Sequence, residues 1–168
     1  MTEPIVNKVS ESALVTVNLE DFLPKDEPKI FDLKEYLFMG LILKEKDFRE
    51  ALKTTDWELF RNQEVVVTCT AEAIIPVWAY MLAASYLKQV THPISLESLS
   101  LWKNRKLLEN IRLMDAASFS DKRVVIKGCG EQPIPEAAYL EVTSRLLPFA
   151  KSIMYGEPCS TVPVYKKK

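Results

Sequence analysis

The apolar positions of the chain change their spacing repeatedly, and the changes mark out its elements. Two runs, Glu64–Thr70 and Arg123–Lys127, have continuous β-branched centres. Such runs fit strands buried on both faces, as in parallel sheets. A polar turn follows each, then a helical pattern with proline in its first turn, Ile75–Lys88 and Ile134–Phe149. Proline costs nothing there, because the missing N–H would have no helical partner. Pro148 ends or kinks the second helix. Short strand patterns close the two stretches at His92–Leu96 and Ser152–Gly156. Upstream, Ala13–Leu19 alternates as a strand, and Pro24, Asp26 and Pro28 break the chain. Lys29–Leu33 reads as another short strand, and Lys34–Met39 and Lys44–Thr54 as helices around Gly40. Leu99–Met114 reads as a helix joining the two stretches.

A shift of 59 residues lays Asp56–Lys88 on Asp115–Leu147 without a gap, and 11 of the 33 aligned positions are identical. Composition alone gives roughly two matches. The identities include Phe60/Phe119, Glu72/Glu131, Pro76/Pro135 and Tyr80/Tyr139, which shared secondary structure does not demand. The pattern predicts an internal strand–helix–strand duplication, in units of about 56–97 and 115–156. Connections of this length favour parallel strands with right-handed crossovers. The predicted class is α/β, a mostly parallel sheet flanked by helices. No linker or low-complexity segment interrupts the chain, so 1–168 reads as a single domain.

With 168 residues, 48% hydrophobic and 27% charged, the chain is neither disordered nor a disulfide-dense miniprotein. Lys plus Arg is 22 against 23 Asp plus Glu, and no basic stripe suggests a nucleic-acid partner. Lys103–Lys106 reads as a solvated helix face and Lys166–Lys168 as a frayed end. The most apolar stretch, Ala73–Ala84, falls short of the about 20 residues a bilayer needs, and it contains Pro76. The first residues lack a basic start followed by an apolar run, so the expected location is cytoplasmic, away from membranes.

Candidate chemistry gathers at the carboxyl ends of the predicted strands, where parallel sheets place their sites. Cys69 ends the first unit's strand, Cys129 follows the matching strand, and Cys159 follows the last one. Parallel crossovers would bring the three thiols to one edge. Gly128-Cys129-Gly130 lets the backbone approach a ligand closely, and the helix start beyond it favours a thiolate. Glu131 and Glu157 are candidate oxygen ligands beside these thiols, and Glu72 matches Glu131. Thiolates suit zinc and iron alike. The competing reading is that the cysteines simply pack, as free cysteines often do. His92 falls at the opposite edge and is not enlisted. There is no Cys-x-x-Cys, no phosphate-binding glycine loop and no nucleophile elbow. A small enzyme with Glu131 as base and the glycine turn as anion site therefore ranks last, and the chain is not expected to be an enzyme. Trp57, Trp78, Tyr80, Trp102 and Tyr139 read as core or as a dimer surface.

Three stretches resemble a bacterial family known as domain of unknown function 2480: Phe31–Arg49, the Val-Val-Ile-Lys-Gly-Cys129-Gly segment, and Ser152–Pro163. The resemblance covers nearly the whole chain, and the last stretch is the most specific. It implies no established activity. What it does imply is company with iron–sulfur cluster assembly proteins, which gives the thiol reading a direction. The first expectation is therefore a thiol-rich accessory protein holding zinc or an iron–sulfur unit through Cys69, Cys129 and Cys159, or relaying sulfur to a protein partner. The alternative is a non-catalytic interaction module or homodimer without bound metal, presenting the helix around Trp78 and Tyr80.

Overall fold

The computed structural model describes residues 14–128 and 130–168. In chain order the elements are β1 (Leu14–Asn18), β2 (Lys29–Asp32), α1 (Glu45–Thr54), β3 (Val65–Thr68), α2 (Val77–Leu87), β4 (Ile94–Leu96), α3 (Leu99–Arg112), β5 (Arg123–Lys127), α4 (Glu136–Leu146), β6 (Ser152–Glu157) and β7 (Ser160–Lys166). Short 3-10 helices follow β1 and β2 and precede β3 and β5. The class is α/β with parallel sheets flanked by helices, but the described residues form two sheets, one of three strands and one of four. They belong to two compact units, and the boundary between them falls within α3.

The unit Lys25–Trp102 is continuous. Its sheet runs β2-β3-β4, parallel throughout. Val65, Val66 and Val67 of the central strand are buried, as a run of valines requires. On one side of the sheet Val65 and Val67 meet Ala79, Ala83 and Leu87 of α2, with Phe48 and Leu52 of α1. The alanines let helix and sheet approach closely, and each fully buried Leu or Phe contributes about 1.5–3 kcal/mol. Aromatic rings complete this core: Phe31 stacks on Tyr36 and Trp57, and Trp57 stacks on Tyr86 at 5.1 Å. Trp102 is buried too, its indole N–H donating to Glu64 Oε1 at 2.9 Å.

The second unit joins the residues up to Pro24 to Lys103–Lys168. Its sheet runs β1-β5-β6-β7; the first three strands are parallel and β7 is antiparallel to β6. Val124, Ile126 and Ile153 of the sheet pack on Ala138, Val142 and Leu146 of α4 and on Leu107 and Ile111 of α3.

From Trp57 onward the corresponding elements keep the offset of 59; β1 and β2, which take equivalent places in the two sheets, do not. The helices α2 and α4 match end for end, as do the 3-10 helices Trp57–Phe60 and Ala116–Phe119. Asn62 and Asp121, also 59 apart, both take positive φ, 57° and 58°. The order β2-β3-β4 corresponds to β1-β5-β6.

Three predicted elements form differently. Lys34–Met39 is not a helix beyond one 3-10 turn, Leu33–Tyr36, because Met39 and Gly40 turn the chain at positive φ and Phe38 pairs with Ile42. Pro76 and Pro135 stand at the caps, just outside their helices, in extended conformation. Of the expected frayed end Lys166–Lys168, Lys166 closes strand β7 and the Lys167 N–H donates to the Lys151 carbonyl at 2.9 Å; the strand is reached by a hairpin in which Gly156 takes φ 122°. Pro163 is admissible there because β7 is an edge strand.

Candidate interaction surface

The residues singled out for chemistry occupy separate settings. Cys69 follows β3 in the first unit, half-buried, its Sγ–H donating to the Ala71 carbonyl at 3.5 Å. It packs against that unit's core beside Tyr80. Burial, and then the neighbouring Cys69, pushes the Tyr80 hydroxyl above the ordinary phenol range. Cys159 is exposed in the turn between β6 and β7, in the other unit. Cys129 lies outside the described residues. Glu131 is exposed, and Glu157 pairs with Lys127 at 3.6 Å. Among the described residues no three His, Cys, Asp or Glu side chains stand close enough together to hold a metal ion. The described donors thus do not fit a zinc or iron–sulfur site.

The glycine turn has a partner inside the chain. Gly130 faces the Glu20 carboxylate so closely that an added Cβ would overlap Oε1, and the same oxygen accepts the Gln132 N–H at 3.4 Å. An anion at this turn is already supplied by Glu20. Gly128 is crowded as well, since a Cβ there would meet the Tyr139 hydroxyl at 2.5 Å.

Two concavities occupy equivalent places in the two units. The larger, about 430 Å³, lies among Ile126, Tyr139, Thr143, Met154, Tyr155 and Val164. The smaller, about 160 Å³, lies among Val67, Tyr80, Ala84, Ser95 and Leu96. Val67/Ile126, Tyr80/Tyr139, Ala84/Thr143, Ser95/Met154 and Leu96/Tyr155 are each 59 apart. The difference lies at the outer edge. In the larger, Val164 of β7 contributes to the wall. In the first unit the sheet ends at β4.

The helices beside these concavities differ in the same sense. α4 carries Glu136, Glu141 and Arg145, and Glu141 accepts from Arg112 at 3.2 Å. α2, Val-Trp-Ala-Tyr-Met-Leu-Ala-Ala-Ser-Tyr-Leu, carries no charge. Its inner face is used in full by Ala79, Ala83 and Leu87. Of its outer positions Val77 is 75% exposed and Met81 68%, Ser85 is exposed and polar, and Ile74 just before the helix is 93% exposed; α4 keeps one such position, Leu140, 71% exposed. Large apolar side chains exposed together on a charge-free helix are ordinarily covered by a partner. Trp78, singled out from the sequence, instead packs within the aromatic core, 6.2 Å from Phe48. Among the described residues no helix is long and apolar enough to cross a membrane.

Residues 3–167 match the model of one protein family, described as a protein of unknown function (DUF2480). No curated protein and no solved structure matches.

Proposed function

The chain belongs to that family of unknown function, and we propose that it acts as a non-catalytic protein-interaction module whose contact surface is the outer face of α2. One observation carries the reading: a charge-free helix that closes the core with one face and leaves Ile74, Val77 and Met81 in water with the other. Contiguous exposed apolar surface of this kind marks interaction sites. The concavity beside it, among Tyr80, Ala84 and Leu96, offers a receptacle for an apolar side chain. Descent of the two units from one duplicated segment belongs to the same proposal; it makes α2 the member of the pair that kept, or gained, an apolar exterior. A thiol role, with zinc or an iron–sulfur unit held or sulfur relayed in cluster assembly, draws on no feature of the described residues.

The test is a photo-reactive phenylalanine analogue at position 81, with a control at the exposed Lys53 of α1, irradiated in the cells that make the protein. Position 81 is expected to give discrete adducts, with a second copy or with another protein, that position 53 does not give. Absence of adducts from position 81 refutes the reading.

A further inference from the structure

Building on the interaction reading, we infer that the partner is a second copy of this chain, joined by antiparallel pairing of β4 with its twofold mate.

Among the described residues the strand has a neighbour on one side only, β3. The Pro93 carbonyl accepts the Val65 N–H at 3.1 Å, and the Glu97 N–H donates to the Val67 carbonyl at 3.3 Å. Alternation along a parallel ladder turns both backbone groups of Ser95 toward β3 as well, and those of Ile94 and Leu96 outward. Among the described residues these outward groups have no backbone partner. Leu96 is 62% exposed. In the other unit, the corresponding edge of β6 is occupied by an antiparallel strand, β7.

The spacing of this edge fits its own copy. With Ser95 opposite Ser95 on a twofold axis, Ile94 of each strand faces Leu96 of the other. Each such pair exchanges two N–H···O bonds, as hydrogen-bonded antiparallel pairs do. All four outward groups are then satisfied on both chains. Ile-Ser-Leu carries no charge, so self-pairing sets no like charges opposite each other. The hydroxyl of Ser95 is the second observation. Its Oγ is buried and has no hydrogen-bond partner, which is costly. In the twofold arrangement Ser95 stands directly across from its own copy, with Cβ atoms about 4.5–5.5 Å apart; a turn about χ1 carries the hydroxyl, covered in its present rotamer, to the seam, where hydroxyls bond across the strands. A foreign strand with an apolar residue opposite would leave that hydroxyl unmatched. The pairing makes one six-stranded sheet and brings the concavity beside β4, among Tyr80, Ala84 and Leu96, next to that of its mate.

Sedimentation equilibrium on the full chain tests the inference together with two variants. Leu96→Pro removes one outward N–H and leaves the Ser95 and Glu97 bonds to β3 in place. Its dimer dissociation constant is expected to rise by about tenfold or more, with the far-ultraviolet spectrum unchanged. Ser95→Cys places two thiols across a non-hydrogen-bonded pair, a spacing a disulfide spans. Mild oxidation is expected to give a peptide linked from position 95 to position 95. A monomer at all concentrations, or a dimer indifferent to Leu96→Pro that yields no such peptide, overturns the pairing. Should Leu96→Pro unfold, the linked peptide alone decides. Adducts from position 81 with a different protein, on a monomeric chain, keep the interaction reading and discard self-pairing.

Discussion

Asp32 ends β2 and fastens it to the end of β3. Its Oδ1 accepts the Lys34 N–H at 2.9 Å, capping the 3-10 turn, and the Thr70 N–H at 3.1 Å; its Oδ2 accepts the Thr70 hydroxyl at 2.5 Å. Burial alone would raise the carboxyl's pKa, but the Thr70 hydroxyl, the two N–H donors and the Lys34 charge together hold it below the ordinary aspartate range. Asp32→Ala strips a cap and two further acceptors from donors that water can reach in part. The expected cost is about 2 kcal/mol, or a fall in Tm of roughly 4–8 °C for a chain of this size. Asp32→Asn keeps one carbonyl acceptor for the N–H groups and loses the charge, at a cost of about 1 kcal/mol. The stability due to the charge is present above the unfolded-state pKa of about 3.9. It is lost as pH falls through the lower, folded-state value, because the carboxylate must then take up a proton. Thermal unfolding of the wild type and Asp32→Asn, followed by circular dichroism from neutral to strongly acidic pH, isolates this carboxyl from the rest. The gap in Tm should close toward acid. Variants that unfold with the wild type at neutral pH, or a gap that persists undiminished into strong acid, would refute the reasoning.

Gly128→Ala drives a methyl into the Tyr139 hydroxyl and is expected to cost about 1–3 kcal/mol. Adding Tyr139→Phe to that variant should return part of the loss, read as a coupling in chemical denaturation. Maleimide labelling of the native protein with peptide mapping should modify Cys159, exposed in its turn, well ahead of Cys69, half-buried and bonded to Ala71; equal rates would contradict these placements.

Much of the architecture was legible because the sequence signals were redundant. Val65–Val67 and Val124–Ile126 lack any polar face, so only burial between layers suits them, and the spacing to α2 and α4 then dictates parallel crossovers. What escaped were features decided by long-range pairing. β7 contains proline, follows Gly156-Glu157-Pro158, and ends in lysines, so every local cue argued for a turn and a loose end; the pairing of β6 with β7 prevails over them. Likewise one sheet was expected where two form, because strand patterns do not say which strands are neighbours. The thiol site was argued from order along the chain, which placed each cysteine at a strand's carboxyl end but could not place Cys69 and Cys159 in the same unit. The interaction surface had a visible signal, the uncharged stretch Ala73–Ala84. The alternative reading took that helix for a contact surface through Trp78 and Tyr80, but those rings pack against the core and the exposed positions are Ile74, Val77 and Met81.

The first unit's sequence is inserted into the second, and this sets an order of events during synthesis. Register pairs Leu14 of β1 with Arg123 of β5, a closure across more than a hundred residues. Lys25–Trp102 holds all its own strands and helices, so it can collapse as soon as it leaves the ribosome. β1, made earlier, must meanwhile wait without a ladder partner until β5 emerges. Long-range closures of this kind are slow and leave strands open to wrong partners. A nascent chain arrested far enough beyond Trp102 for that residue to have left the ribosomal tunnel, with β5 still inside it, should therefore protect residues 25–102 from protease while β1 is still digested.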